Sequence, residues 1–252
     1  MRTFQVDHLH VSVFPGREEM GSAAAKAAAH SLQEAIRQRG AARLILASAP
    51  SQIELLCYLR ESAVDWSRVT IFHMDEYIGL PPEHPVAFRH FLQAEMLAHV
   101  KPREFVGMRG EADDLPAEIA RYSRLLAAEP IDVVCLGIGE NGHLAFNDPP
   151  VAQFDDPALV KEVEPDAVCR QQQVNDGSVP HVGAVPKKGL TLTIPAIMGG
   201  RSLYCVVPGP SKAKAVRDTL RGPIATNCPA SILRRHPSAY LYLDEDSAEL
   251  LE

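Results

Sequence analysis

Short runs of consecutive apolar residues, each followed by a polar or glycine-bearing loop and then a helical period, recur along most of the chain. This alternation limits the fold more than any other feature. Residues 43–47, 69–72, 131–136, 203–207 and 240–243 are strand-sized and near-continuously apolar, interrupted only by Arg43, Thr70 and Asp132, the signature of strands buried on both faces of a parallel sheet. Between them, helical periods cover about 18–39, 52–61, 86–99, 115–128 and 211–221. The rhythm predicts an α/β three-layer sandwich: a Rossmann-like, doubly wound, mostly parallel sheet between helices. No repeat or linker divides the 252 residues, so one domain over 1–252 is expected. One segment, 150–186, is proline-rich, polar and too long for an ordinary connection; it is expected to act as a lid.

Composition narrows the function. With 46% hydrophobic and 23% charged residues the chain is of ordinary globular type. Its net charge is −7 and its basic residues form no stripe, which argues against nucleic acid or an anionic membrane as a partner. No apolar run approaches the roughly 18 residues of a membrane span, and the first ten residues lack the apolar core of a secretory signal, so a cytoplasmic address is expected. The five cysteines are odd in number and show no CxxC spacing, which argues against a disulfide framework or a structural zinc site. His8 and His10 would share one face of a surface strand, with no third ligand for a metal.

In a doubly wound sheet, ligands bind beyond the carboxyl ends of the strands, and three such places stand out. After the run 43–47 come Ser48, Ala49, Pro50 and Ser51 ahead of a helical period, which suits an anion site and equally a plain N-cap. After 69–72 come Asp75 and Glu76, which strand alternation sends to opposite sides, so that one can face a pocket as a base while the other pairs with a cation or caps a turn. Two solvated loop acids fit that pattern equally well. After 131–136 comes GIGENGHLAFNDPP, residues 137–150. Its glycines imitate a dinucleotide fingerprint, but the residues from His143 onward do not begin a long helix, so NAD is set aside. His143, between Asn141 and Asp148, is placed for proton shuttling near neutral pH. Arg170, within the proline-rich segment, and Lys187, directly after it, are read as phosphate clamps or as solvated charges.

These stretches resemble the glucosamine-6-phosphate deaminase (isomerase) family, within the superfamily that also holds 6-phosphogluconolactonases. The likeness rests on four blocks in order: MDEYIGLP at 74–81 with His84-Pro85, GIGENGHLAFNDPP, Val185-Pro186-Lys187 with Leu190-Thr191, and Gly209-x-Ser211-Lys212-Ala213. The resemblance implies conversion of glucosamine 6-phosphate to fructose 6-phosphate and ammonia, without cofactor or metal. It makes Asp75 the base that moves a proton between C2 and C1, and His143 the group that assists ring opening, tuned by Asn141 and Asp148. It assigns the phosphate to Arg170, Lys187 and the loop of Ser48, Ala49 and Ser51, with Glu76 and Gly139 among the substrate-binding residues. The partner implied is a small sugar phosphate, and the family's assemblies range from monomer to hexamer.

The chain departs from the resemblance in places. Asn141 stands where many members have Asp, Asp148 where many have Glu, and Ala49 and Gln52 replace the usual glycine and proline of the phosphate loop. Residues 151–156, VAQFDD, replace the serine- and arginine-rich stretch of allosteric members, so no activation by an N-acetylated sugar phosphate is expected. Rival readings are a related amino-sugar phosphate such as galactosamine 6-phosphate, a 6-phosphogluconolactonase, and a non-catalytic sugar-phosphate sensor. The lactonase loop resembles GHTASLFP rather than the GHLAFNDP found here, and a sensor would carry a DNA-binding module for which this sequence has no room.

Overall fold

The interior strands are apolar on both faces because both faces are covered. In the computed structural model, which describes residues 1–251, the elements run β1 (Arg2–Val6), β2 (Leu9–Phe14), α1 (Arg17–Arg39), β3 (Ala42–Leu46), α2 (Ile53–Arg60), β4 (Val69–His73), β5 (Asp75–Tyr77), α3 (Phe88–Leu92), β6 (Glu104–Val106), α4 (Leu115–Ala127), β7 (Val133–Leu136), β8 (Val160–Val163), α5 (Ala167–Asn175), β9 (Gly189–Leu192), α6 (Ile194–Met198), β10 (Ser202–Val207), α7 (Ala213–Arg221) and β11 (Ala239–Asp244). Eight strands form one sheet in the order β1-β2-β11-β10-β7-β3-β4-β6, and only β1 runs antiparallel to its neighbour.

Side-chain alternation sorts the strands between two cores. Leu44, Leu46, Val133, Cys135 and Val206 pack with α1 and α2, whereas Ile45, Val134, Leu136, Cys205 and Val207 pack on the other face with α4, α6 and α7. Helix α1 is alanine-rich and ends at Gly40, whose φ of 79° the absence of a side chain makes inexpensive. It lies so close to α2 that a Cβ on Gly21 would come 2.4 Å from that of Glu54. Asp114 caps α4 by accepting from the Ala117 N–H at 2.9 Å, and the buried Arg43 guanidinium closes its other end on the carbonyls of Leu125, Leu126 and Glu129.

The chain winds outward from β3 through β4 to β6, then returns to β7 on the other side of β3. That reversal opens a crevice between the ends of β3 and β7, where a doubly wound sheet takes its ligands. A second, antiparallel sheet, β5-β9-β8, stands over it, pairing Asp75 with Thr191 and Lys161 with Thr191. Residues 150–186 contribute β8, α5 and a turn at Val182–Ala184. They close over a small core of Tyr77, Phe88, Phe146, Val163, Cys169, Val179 and Val185.

Two expectations change. His8 sits in the turn between β1 and β2 and only His10 is on a strand, so the two do not share a strand face. The period at 86–99 is not one continuous α-helix, because α3 gives way to a wider π turn over Gln93–Leu97.

Candidate active site

Asp75, the first residue of β5, and His143, in the loop after β7, line one pocket in the crevice. Ala47, Ser48, Ala49, Ser51, Gln52, Gly137 and Gly139 line it from the carboxyl ends of β3 and β7, with Gln172, Gln173 and Lys212 at its rim. Asp75 is only 8% exposed. Burial, and after it the neighbouring Glu76 charge, holds its pKa well above the ordinary carboxylate value.

Glu76 points the other way. It is fully buried and does not line the pocket, which corrects the expectation that it touches substrate. Its Oε1 accepts the backbone N–H groups of Tyr77 and Phe88 at 2.9 Å each, and its Oε2 accepts the Arg89 N–H at 2.9 Å and Nε at 3.1 Å. Burial raises its pKa, against the opposing pull of those donors. The carboxylate thereby caps α3 and sets Phe88 against the pocket, while Arg89 reaches on to Glu111 at 2.5 Å.

The His143 ring is held from behind. Its Nδ1 lies 2.7 Å from Asn141 Oδ1 and 3.1 Å from Asp148 Oδ1. Asn141 Nδ2 donates to Asp148 Oδ1 at 2.9 Å and Asp166 Oδ2 at 3.0 Å, which fixes the amide so that its oxygen faces the histidine. Two acceptors at Nδ1 assign the proton to that nitrogen and leave Nε2 as the free base. Burial tends to raise the Asp148 pKa, but the hydrogen bonds of His143, Asn141 and Asp166 carry it below the ordinary value. Gly139 makes the arrangement possible: a Cβ there would fall 2.0 Å from the His143 ring. Ala145, on the same loop, is one of two non-glycine residues at positive φ among the described residues, at 51°.

The anion end differs from expectation. Arg170 and Lys187 do not line the pocket. Arg170 donates to the carbonyls of Val182 and Val185, at 2.9 and 3.4 Å, and pins the segment's own turn; Lys187 is exposed. Lys212, 4% exposed at the start of α7, is the only Lys or Arg lining the pocket among the described residues. Burial lowers its pKa, opposed by the attraction of Asp176 and Glu140. Among the residues lining the same pocket, the Ser48 hydroxyl and Gln52 Oε1 are buried without hydrogen-bond partners. Sequence reasoning missed Lys212, Gln52, Gln172, Gln173 and Phe88 as lining residues; Lys212 carried a signal as part of the fourth block and Gln52 as a departure within the phosphate loop, and the other three carried none. Gln172 also ties α5 to the active-site loop, accepting the Glu140 N–H at 2.9 Å.

A doubly wound α/β fold that brings a buried carboxylate, an oriented histidine and a buried lysine to one pocket at its switch point has the architecture of an α/β enzyme. The family model of glucosamine-6-phosphate isomerases/6-phosphogluconolactonase matches residues 15–241, and the chain belongs to that family. A glucosamine-6-phosphate deaminase of Lactobacillus delbrueckii subsp. bulgaricus is 33% identical over 245 residues, 97% of this chain and 100% of that one. Another from Bacillus cereus is 31% identical over 242 residues, 96% of this chain and 89% of that one. The solved structure of a monomeric glucosamine-6-phosphate deaminase superposes with a TM-score of 0.87 at 30% identity, covering 95% of this chain and 99% of that one. A 6-phosphogluconolactonase from Shewanella baltica shares the fold, with a TM-score of 0.76 at 20% identity over 96% and 99% of the two chains. No helix of the described residues is long and apolar enough to cross a membrane.

Proposed function

We propose that the protein converts glucosamine 6-phosphate and water to fructose 6-phosphate and ammonia. The observation that carries this reading is that Asp75 and His143 line one pocket whose rim holds the single buried cation Lys212. The phosphate sits between Lys212 and the residues 48–52, whose unpartnered Ser48 hydroxyl and the N–H groups leading into α2 face it.

With the phosphate so placed, the sugar ring lies over Asp75 and His143. His143 Nε2 takes the proton of the anomeric hydroxyl and returns one to the ring oxygen, opening the pyranose to the aldehyde. The C2 proton is acidic only beside that carbonyl, and Asp75 removes it to give an enolamine. The same carboxyl returns the proton to C1, leaving an imine at C2. Water adds to that carbon and ammonia departs, completing the ketose. Each positioned acid or base contributes on the order of 10²–10⁴ in rate. The segment 150–186 acts as a lid: Gln172 and the Asn175 contact to Glu140 at 3.3 Å hold it closed on the active-site loop, and their release admits substrate.

The test is a coupled assay of the purified protein with glucosamine 6-phosphate and no added metal, following fructose 6-phosphate and ammonia together. Equimolar formation of both is expected. A folded protein that forms neither overturns the reading, and turnover of galactosamine 6-phosphate or 6-phosphogluconolactone alone replaces it with that activity.

A further inference from the structure

Behind the His143 ring, on its Nδ1 side, the loop after β7 and helix α5 bring together three side chains of metal-ligating type. One ligand atom each from His143, Asp148 and Cys169 lie within 4.8 Å of one another. The acid–base scheme uses the first two and has no task for Cys169, a buried free thiol. We propose that His143 Nδ1, an Asp148 carboxylate oxygen and Cys169 Sγ form an inhibitory site for a borderline-soft divalent cation such as Zn²⁺ or Co²⁺.

One nitrogen, one oxygen and one sulfur make a donor set that suits these ions and discriminates against Mg²⁺ and Ca²⁺, which take oxygen alone. Metal–nitrogen and metal–sulfur bonds of about 2.0 and 2.3 Å place tetrahedral ligand atoms about 3.5 Å apart, so the trio needs to close by only about 1 Å. Charge favours occupation. Asn141 Nδ2 bridges Asp148 Oδ1 and Asp166 Oδ2, so a second carboxylate stands beside the trio. The two carboxylates favour a dication over a site without charge.

Binding changes the chemistry of the histidine. The cation bonds to the thiolate sulfur, the Nδ1 lone pair and an Asp148 oxygen, and sheds bound water. The thiol proton passes to solvent. The proton on Nδ1 is displaced and Nε2 acquires one, so the imidazole stays neutral but presents an N–H where it had presented a base. Occupation therefore switches off proton abstraction at Nε2 without filling the sugar pocket.

The experiment is a Co²⁺ titration of the full chain, followed by absorption. One equivalent is expected to bind, with a near-ultraviolet thiolate-to-cobalt charge-transfer band. C169S loses the band and binds at least about tenfold more weakly, since even outer partners of a metal site are worth 10–100-fold. C57S, at the one cysteine that is not buried, leaves the band unchanged. Absence of the band in the wild-type chain, or its persistence in C169S, overturns the proposal; C169A serves if C169S fails to fold by near-ultraviolet circular dichroism. The inhibitory effect rests on the deaminase reading, whereas the binding site does not. Zn²⁺ is expected to inhibit the wild-type enzyme reversibly on chelation and to need at least tenfold higher concentration against C169S. Inhibition equal in the two chains overturns the inhibitory role, and a charge-transfer band in a chain without deaminase activity overturns only the deaminase reading.

Discussion

Asp75 and Glu76 are consecutive on β5 and face opposite sides of the strand: Asp75 lines the pocket, while Glu76 is enclosed by three backbone N–H groups and the Arg89 guanidinium. Glu76 anchors α3 and with it Phe88, and its charge adds to the burial that keeps Asp75 a stronger base than an ordinary carboxylate. Asp75 has no comparable set of donors, so it is the member of the pair that takes up a proton.

Asp75→Asn is expected to lower turnover by at least about 10²–10⁴ and to stabilise the fold. The sign follows from linkage. A carboxyl whose folded pKa is raised contributes its stability at low pH and loses it as pH rises through the folded value. An amide makes no such concession, so the variant gains on the wild type above that pH and matches it below the ordinary carboxylate range. Thermal unfolding from pH 4 to 9 checks this; a gain in Tm independent of pH would contradict it.

Glu76→Gln moves the acidic limb of the kcat/KM profile to lower pH, because Asp75 loses a neighbouring negative charge. It also turns an amide N–H toward the Arg89 donors, at a cost of about 1–3 kcal/mol in stability. The pH–rate profile and a urea titration report the two effects separately.

Which parts of this were legible in the sequence follows from what the pattern records. Strands such as Val133–Leu136 were visible because both their faces are buried, and the loop after each was visible because the sheet's handedness sends ligands there. The hairpin of β1 and β2 was not, since β1 is a half-exposed edge strand whose residues mix polar and apolar types. The three-residue β5 is too short to show a period and is defined by its pairing with β9, more than a hundred residues away. Asn141 and Asp148 were readable as neighbours of His143, but the second carboxylate on Asn141, that of Asp166, comes from the start of another helix. For the cations, sequence shows a charge and not its occupation: Arg170 is engaged by carbonyls of its own segment, whereas Lys212 is delivered by the turn into α7.

Asn141→Asp places a third carboxylate where an amide now donates to Asp148 and Asp166. Both bonds are lost and replaced by repulsion, so the variant is expected to be less stable by about 1–3 kcal/mol near neutral pH and to recover as the pH falls and the cluster takes up a proton. Urea unfolding at pH 7.5 and at pH 5 checks this. Equal losses at both would show that the amide's geometry matters and its charge does not.

Gly139→Ala tests the close approach over the histidine. A Cβ at 2.0 Å from the His143 ring forces either the imidazole or the loop to move. Turnover is expected to fall by at least about 10²-fold, as for small misplacements of a catalytic group, with the KM for substrate much less affected. An unchanged kcat would mean that the ring position seen here is not the one used in catalysis.

The phosphate assignment separates Lys212 from the two cations that the sequence first suggested. A charge-assisted hydrogen bond is worth about 1.5–3 kcal/mol, so Lys212→Met is expected to raise the KM for glucosamine 6-phosphate by about 10- to 150-fold and to weaken inhibition by inorganic phosphate in proportion. Lys187→Ala, at an exposed side chain outside the pocket, leaves KM within about twofold. Arg170→Ala leaves the carbonyls of Val182 and Val185 without their donor. Its defect is expected in the stability and proteolytic resistance of residues 150–186, not in phosphate competition. Measuring KM and the phosphate inhibition constant for all three variants decides the matter: if Lys187→Ala or Arg170→Ala weakens phosphate inhibition as much as Lys212→Met does, the anion is held at the mouth of the segment and not in the cradle beside β3.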